Sequence, residues 1–120
     1  MKICIPIVED RGLLSPVSPH FASAPMFLLV DAATLAFRSV PNPSPAEGAR
    51  CDPYRSLRGL AIDSFIVGGI GANALTVIRQ GNVPVFRTGS DRVADALAEL
   101  IAGTLPFLSH PRRGPGSADR

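Results

Sequence analysis

Gly68-Gly69-Ile70-Gly71-Ala72-Asn73-Ala74 follows the apolar run Ile62-Asp63-Ser64-Phe65-Ile66-Val67 and opens a helical pattern. A strand that turns on glycines into a helix start exposes several backbone N–H groups at one point. Together with the positive end of the helix dipole (~+0.5 charge), those donors form a seat for an anion. Gly69, Ile70 and Gly71 supply the main-chain donors, and Asn73 a side-chain donor in the first turn. His20, in Ser15-Pro16-Val17-Ser18-Pro19-His20-Phe21-Ala22, offers an imidazole that ligates metals or donates to anions; a surface or capping histidine fits the spacing equally well. Ser15 and Ser18 offer hydroxyl donors, although shaping a turn is the commoner use of serine beside proline. Arg87 ends the run Val83-Pro84-Val85-Phe86-Arg87 and suits an anionic ligand, or simply solvent. Cys51 lies in a polar, Pro-rich loop, where a thiolate suits a soft metal, though a lone loop cysteine is more often a bystander. His20 and Cys51 are thus the candidate metal ligands.

The elements that must bring these residues together follow from the apolar pattern. Residues 2–8 are apolar on both faces, as in a central, covered strand. Residues 9–25 form a long loop with Gly12, Pro16, Pro19 and Pro25. Met26-Phe27-Leu28-Leu29-Val30-Asp31 and Leu35-Ala36-Phe37-Arg38-Ser39-Val40 read as a hairpin, joined by Ala32-Ala33-Thr34. After a Pro-rich loop over 41–53, a short helix at about 54–60 leads into a strand over 62–67. A helix over 71–80 stops at Gly81-Asn82. The strand over 83–87 follows, with Pro84 suited to an edge or to a strand's start. Ser90 or Asp91 is placed to cap a last helix whose Val93, Ala94, Leu97, Leu100 and Ile101 make one apolar stripe.

With strand 2 reversed by its hairpin and right-handed crossovers through the helices, strands 1, 3, 4 and 5 end at one edge. The sheet order expected is 3-2-1-4-5, a five-stranded mixed sheet in a three-layer α/β/α sandwich with strand 2 antiparallel. The loops 9–25, 41–53, 68–71 and 87–91 meet at that edge, with the topological switch between strands 1 and 4. Ligands bind at such switch points, which sets the His20 loop beside the glycine turn.

Composition narrows the function classes. The chain has 120 residues, 46% hydrophobic and 18% charged, which is one domain with room for a core. We expect that domain over 1–108 and a disordered basic tail over 109–120. A net charge of +2 argues against nucleic acid, and no apolar run reaches the ~18–20 residues of a membrane span. The N-terminal strand runs too soon into Glu9-Asp10-Arg11 for a secretory signal, so a cytoplasmic protein is expected, in which a structural disulfide between Cys4 and Cys51 has no place. Gly69, Gly71 and Ala74 match G-x-G-x-x-A, but the next strand ends in Arg87-Thr88-Gly89, without the acid that a dinucleotide's ribose needs. A tight turn with no ligand remains the plain alternative. No Ser/His/Asp set, carboxylate pair or metal triad suggests an enzyme. Ribonuclease H-like nucleases share the expected strand order but need acids on central strands, and strand 1 has none.

In its order of motifs the chain resembles the dinitrogenase iron-molybdenum cofactor biosynthesis family, which includes NifX-type proteins and the C-terminal domain of NifB. The resemblance covers about residues 1–105. It rests on Met1-Lys2-Ile3-Cys4-Ile5-Pro6, Ser15-Pro16-Val17-Ser18-Pro19-His20-Phe21, Phe27-Leu28-Leu29-Val30-Asp31, Ile66-Val67-Gly68-Gly69-Ile70-Gly71 and Val83-Pro84-Val85-Phe86-Arg87. Where family members usually read His-Phe-Gly, this chain has His20-Phe21-Ala22. The resemblance implies a ribonuclease H-like fold without nuclease activity and the binding of metal–sulfur clusters.

The expectation is a non-catalytic carrier of a transiently bound iron–sulfur or iron–molybdenum–sulfur cluster. His20 would ligate or hydrogen-bond it, Gly69, Ile70 and Gly71 would donate N–H groups, and Arg87 would balance charge. Cofactor-assembly proteins are the expected partners, and a monomer or weak dimer the expected state. A nucleotide- or phosphate-binding regulatory module, or a protein-interaction module, is the alternative on the same scaffold.

Overall fold

The strand Lys2–Ile7 (β1) buries every residue after Lys2, which only a central position in a sheet covered on both faces permits. In the computed structural model, which describes residues 1–42, 57 and 60–109, β1 lies between Met26–Asp31 (β2), antiparallel, and Ser64–Val67 (β4), parallel. Phe37–Pro41 (β3) pairs antiparallel with β2. Val85–Arg87 (β5) lies parallel to β4, with Arg87 opposite Val67. Two helices, Ala72–Gln80 (α1) and Val93–Ala102 (α2), follow β4 and β5 respectively.

The expected order 3-2-1-4-5 is present, but the sheet has six strands rather than five: Phe107–Ser109 (β6) adds antiparallel to β5. The Phe86 and Phe107 rings, 4.5 Å apart between centroids, hold β6 in place. Arg87 N–H donates to Pro106 O at 3.0 Å, so β5 is an inner strand and Pro84 precedes its start. Ser109, the first residue of the expected tail, ends β6; residues 110–120 lie outside the described residues. Of the short helix expected over 54–60, Leu57 is helical and buried and Leu60 lies in a 3₁₀ turn; the remainder, like 43–53, falls outside the described residues.

Strand alternation sorts the core into two faces. Cys4, Phe27, Leu29, Phe65, Val67 and Val85 point to one, where Ile78, Ala74 and Leu75 of α1 cover them. Ile3, Ile5, Ile7, Leu28, Val30 and Ile66 point to the other, under Val93, Ala96 and Leu97 of α2. Each fully buried Ile, Leu or Phe contributes ~1.5–3 kcal/mol of transfer free energy. The upper rim, where β1, β3, β4 and β5 end, therefore sits on a sheet fixed from both sides. Among the described residues, no helix is long and apolar enough to cross a membrane.

Candidate functional site

The loop after β1 is stitched to three elements in turn. It first doubles back on β1, with Val8 N–H donating to Pro16 O (3.0 Å) and Ser18 N–H to Pro6 O (2.8 Å). It then crosses the start of α2. Val17 N–H donates to Asp91 O, while the carbonyls of Ser15 and Leu13 accept from Val93 and Ala94 N–H at 3.0 and 2.8 Å. The N-cap of α2 is Arg92, without a side-chain cap bond, so neither Ser90 nor Asp91 takes the role expected of it. Distant main-chain carbonyls satisfy those first N–H groups instead. Ser15 shapes the loop, donating to Gly12 O (2.6 Å) and accepting from Arg11 N–H (2.7 Å).

The loop then reaches the glycine turn. Phe21 N–H donates to Gly69 O at 3.0 Å, and the buried Phe21 ring packs on Phe27 and Phe65, at 5.3 and 5.7 Å between centroids. A Cβ on Gly68 would stand 2.8 Å from Ser18 O, and one on Gly69 2.5 Å from Pro19 O. Both contacts are with backbone, which cannot swing away as a side-chain tip can. Only glycine at these two positions lets the His20 loop seat on the turn, and His20 itself is exposed on the rim.

Gly71 differs from its neighbours. Its φ of −75° and ψ of 160° suit any residue, and a Cβ there would meet nothing within 4 Å. Among the described residues, nothing fills the space next to Gly71 at the start of α1. Gly71 caps the helix without a side-chain bond, and the first turn holds no acidic residue. Among the described residues, the N–H groups of Gly69, Ile70, Gly71 and Ala72 donate to no backbone or side-chain acceptor. Among the described residues nothing compensates the positive end of the α1 dipole, as an anion site requires.

Arg87 shares Val85's face by strand alternation, which is the α1 face, and lies beside Val67, one residue below the turn. It is exposed. Thr88, next in the chain, is buried and donates from its hydroxyl to Glu99 Oε1 at 2.8 Å, tying the β5–α2 loop to α2. Ile70 packs half-buried against the α1-side core, and Asn73 lies in the first turn of α1.

His20, Gly69, Ile70, Gly71, Asn73 and Arg87 therefore come together at one rim. Ser18, expected among the donors facing a ligand, instead uses its buried hydroxyl within the loop, donating to His20 O (2.9 Å) and accepting from His20 N–H (3.2 Å). Cys51 lies outside the described residues. Among the described residues no three His, Cys, Asp or Glu side chains gather as a metal site, and burial pushes the Cys4 thiol far above the usual range, so it stays protonated in the core. One residue with a role here has no counterpart in the sequence-based expectations: Phe21, the anchor of the loop. Ser18 takes the turn-shaping use that serine beside proline commonly has, through the Ser18-x-His20 spacing of a serine turn.

Comparison with known proteins gives this arrangement its context. The family model described as dinitrogenase iron-molybdenum cofactor matches residues 1–103. Among solved structures, the apo form of the orange protein from Desulfovibrio gigas superposes with a TM-score of 0.80 at 26% identity, covering 93% of this chain and 96% of that one. A NifB-like protein from Thermotoga gives 0.75 at 26%, covering 95% and 98%. A dinitrogenase-like protein from Methanocaldococcus jannaschii gives 0.68 at 18%, covering 92% and 97%, and shares the fold. No curated protein matches the chain. A match that takes in β1, the His20 loop, the glycine turn and both helices shows that the chain belongs to the dinitrogenase iron-molybdenum cofactor family.

Proposed function

We propose that this protein binds and carries an anionic metal–sulfur cluster, of the iron–molybdenum cofactor type or a precursor, at the rim above α1. Family membership supports a role in the biosynthesis of that cofactor, and the natural partners are then the cluster and the assembly proteins that load and unload it. The scaffold reads as ribonuclease H-like, supported by its 3-2-1-4-5 order with β2 reversed, extended here by β6.

The observation that carries the reading is the seating of the His20 loop directly on the glycine turn, beside N–H donors that no group among the described residues uses. A cluster with sulfide at its surface accepts hydrogen bonds from such donors. His20 ligates or hydrogen-bonds it from one side, and Arg87 balances its charge from the next strand. Few protein ligands hold the cargo, which suits a carrier that must release it. The site performs no bond-making of its own: the residues bind, orient and shelter.

Anaerobic loading with isolated iron–molybdenum cofactor, and separately with a preformed iron–sulfur cluster, tests the proposal by visible absorption after desalting. His20→Ala should weaken loading roughly ten- to hundredfold, since a hydrogen bond to a charged group is worth ~1.5–3 kcal/mol. Unchanged loading would remove His20 from the site. Failure of the protein to retain either cluster, with retention of a nucleotide or phosphate, would replace the carrier by an anion-binding regulatory module.

A further inference from the structure

Resting on the cluster-binding reading, we infer that Ser18 is a positioning residue: its hydroxyl locks the main chain at His20 and so sets where the imidazole stands on the rim. Ser18 is 4% exposed. Its single oxygen bridges both polar main-chain groups of one residue, donating to His20 O and accepting from His20 N–H. Holding N and O of the same residue on one atom restricts rotation about the bond between them, the ψ torsion of His20. The neighbours close the remaining freedom. Phe21 N–H is bonded to Gly69 O at 3.0 Å, and Pro19 O lies 2.5 Å from where a Gly69 Cβ would be.

The result is a residue whose backbone is fixed on both sides while its side chain is exposed. Packing gives the imidazole no reason for that arrangement, because the apolar anchor of the loop is Phe21, not His20. A ligand does. A donor held in place before binding loses less conformational entropy when it meets its partner. Both Ser18 bonds stay inside the loop, so the hydroxyl acts on a bound cluster only through His20.

A double-mutant cycle on the full chain, with isolated iron–molybdenum cofactor as the probe, tests this. Ser18→Ala should weaken loading about three- to tenfold, the usual effect of losing a neutral hydrogen bond. In the His20→Ala background the same change should have no further effect, because its route to the cluster is gone. Ser18→Thr, which keeps the hydroxyl, should restore loading. In the unloaded protein, Ser18→Ala should speed hydrogen exchange at the Phe21 amide, a readout independent of any cargo. Should Ser18→Ala fail to fold, Ser18→Cys keeps the volume while weakening both bonds and takes its place in the cycle. Loading like wild type, or a loss that adds in full to that of His20→Ala, would overturn the positioning role. If His20→Ala itself loads normally, the fault lies with the cluster-binding reading; if His20→Ala is impaired and Ser18→Ala is not, only the lock is wrong.

Discussion

At the start of α2 the N–H groups of Val93 and Ala94 donate to the carbonyls of Ser15 and Leu13, and Asp95 stands in the first turn; at the start of α1 there is no cap bond and no acidic residue. Both helices begin at the same rim, one on each face of the sheet. One chain segment treats them differently. Residues 13–17 lie across α2 and accept from its first two N–H groups, whereas residues 18–21 pass beside α1 without bonding to its first turn. The same physics that makes a helix start costly to leave bare makes the bare one informative. The loop that could have covered both covers one.

Removing the loop's anchor on the α1 side should do the greatest damage. Phe21→Ala should cost ~3–5 kcal/mol of stability, the range for emptying a buried phenylalanine site, because the ring is fully buried against Phe27 and Phe65. Chemical denaturation at constant m-value checks it. A loss below 1 kcal/mol would mean that the loop's seat on α1's side rests on its backbone bonds alone.

Gly69→Ala attacks the seat itself. With Pro19 O 2.5 Å from the new Cβ, either the loop or the turn must move, at ~1–3 kcal/mol for an overpacked contact. Loading with cluster should fall with it, as the His20 loop is displaced from the rim. A stable variant that loads normally would show that the loop and the turn need not touch for the site to work.

How much of this was legible in the sequence follows from where each signal resides. The order 3-2-1-4-5 could be read because a three-residue link, Ala32-Ala33-Thr34, forces a hairpin and the crossover rule fixes the rest. The glycine turn and the His20 loop fell together for the same reason. β6 could not be read: three residues are too few to show alternation, and what holds them is the Phe86–Phe107 contact. The α2 cap was misplaced because Ser90 and Asp91 fit a local rule that loop carbonyls about 80 positions earlier override. Ser18 suits either a ligand or a turn by sequence, and the turn takes it: a sequence shows that a hydroxyl is present, not that His20 already occupies it.

A charge placed at α1's open end sharpens the contrast with a smaller effect. Ala72 is exposed and begins the helix, so Ala72→Glu should stabilise the empty protein by ~0.3–1 kcal/mol through the dipole. It should also weaken cluster loading about fivefold, since two like charges ~4 Å apart repel by ~1 kcal/mol even in water. Stability and binding would then move in opposite directions. If both rose, the bound species would not be an anion.

The smallest effect belongs to the capped end. Arg92 is exposed and its guanidinium donates one bond, to Leu14 O at 3.2 Å; the capping of Val93 and Ala94 is main-chain work that its side chain does not touch. Arg92→Ala should therefore change stability by no more than ~0.5 kcal/mol, as surface substitutions do, and leave loading within about twofold of wild type. Because Arg92 and Arg87 are both exposed cations near the rim, this variant separates a general positive field from a built site. A field would lose as much from Arg92→Ala as from Arg87→Ala. A site above α1 loses affinity only at Arg87, whose strand places it on the α1 face beside the glycine turn.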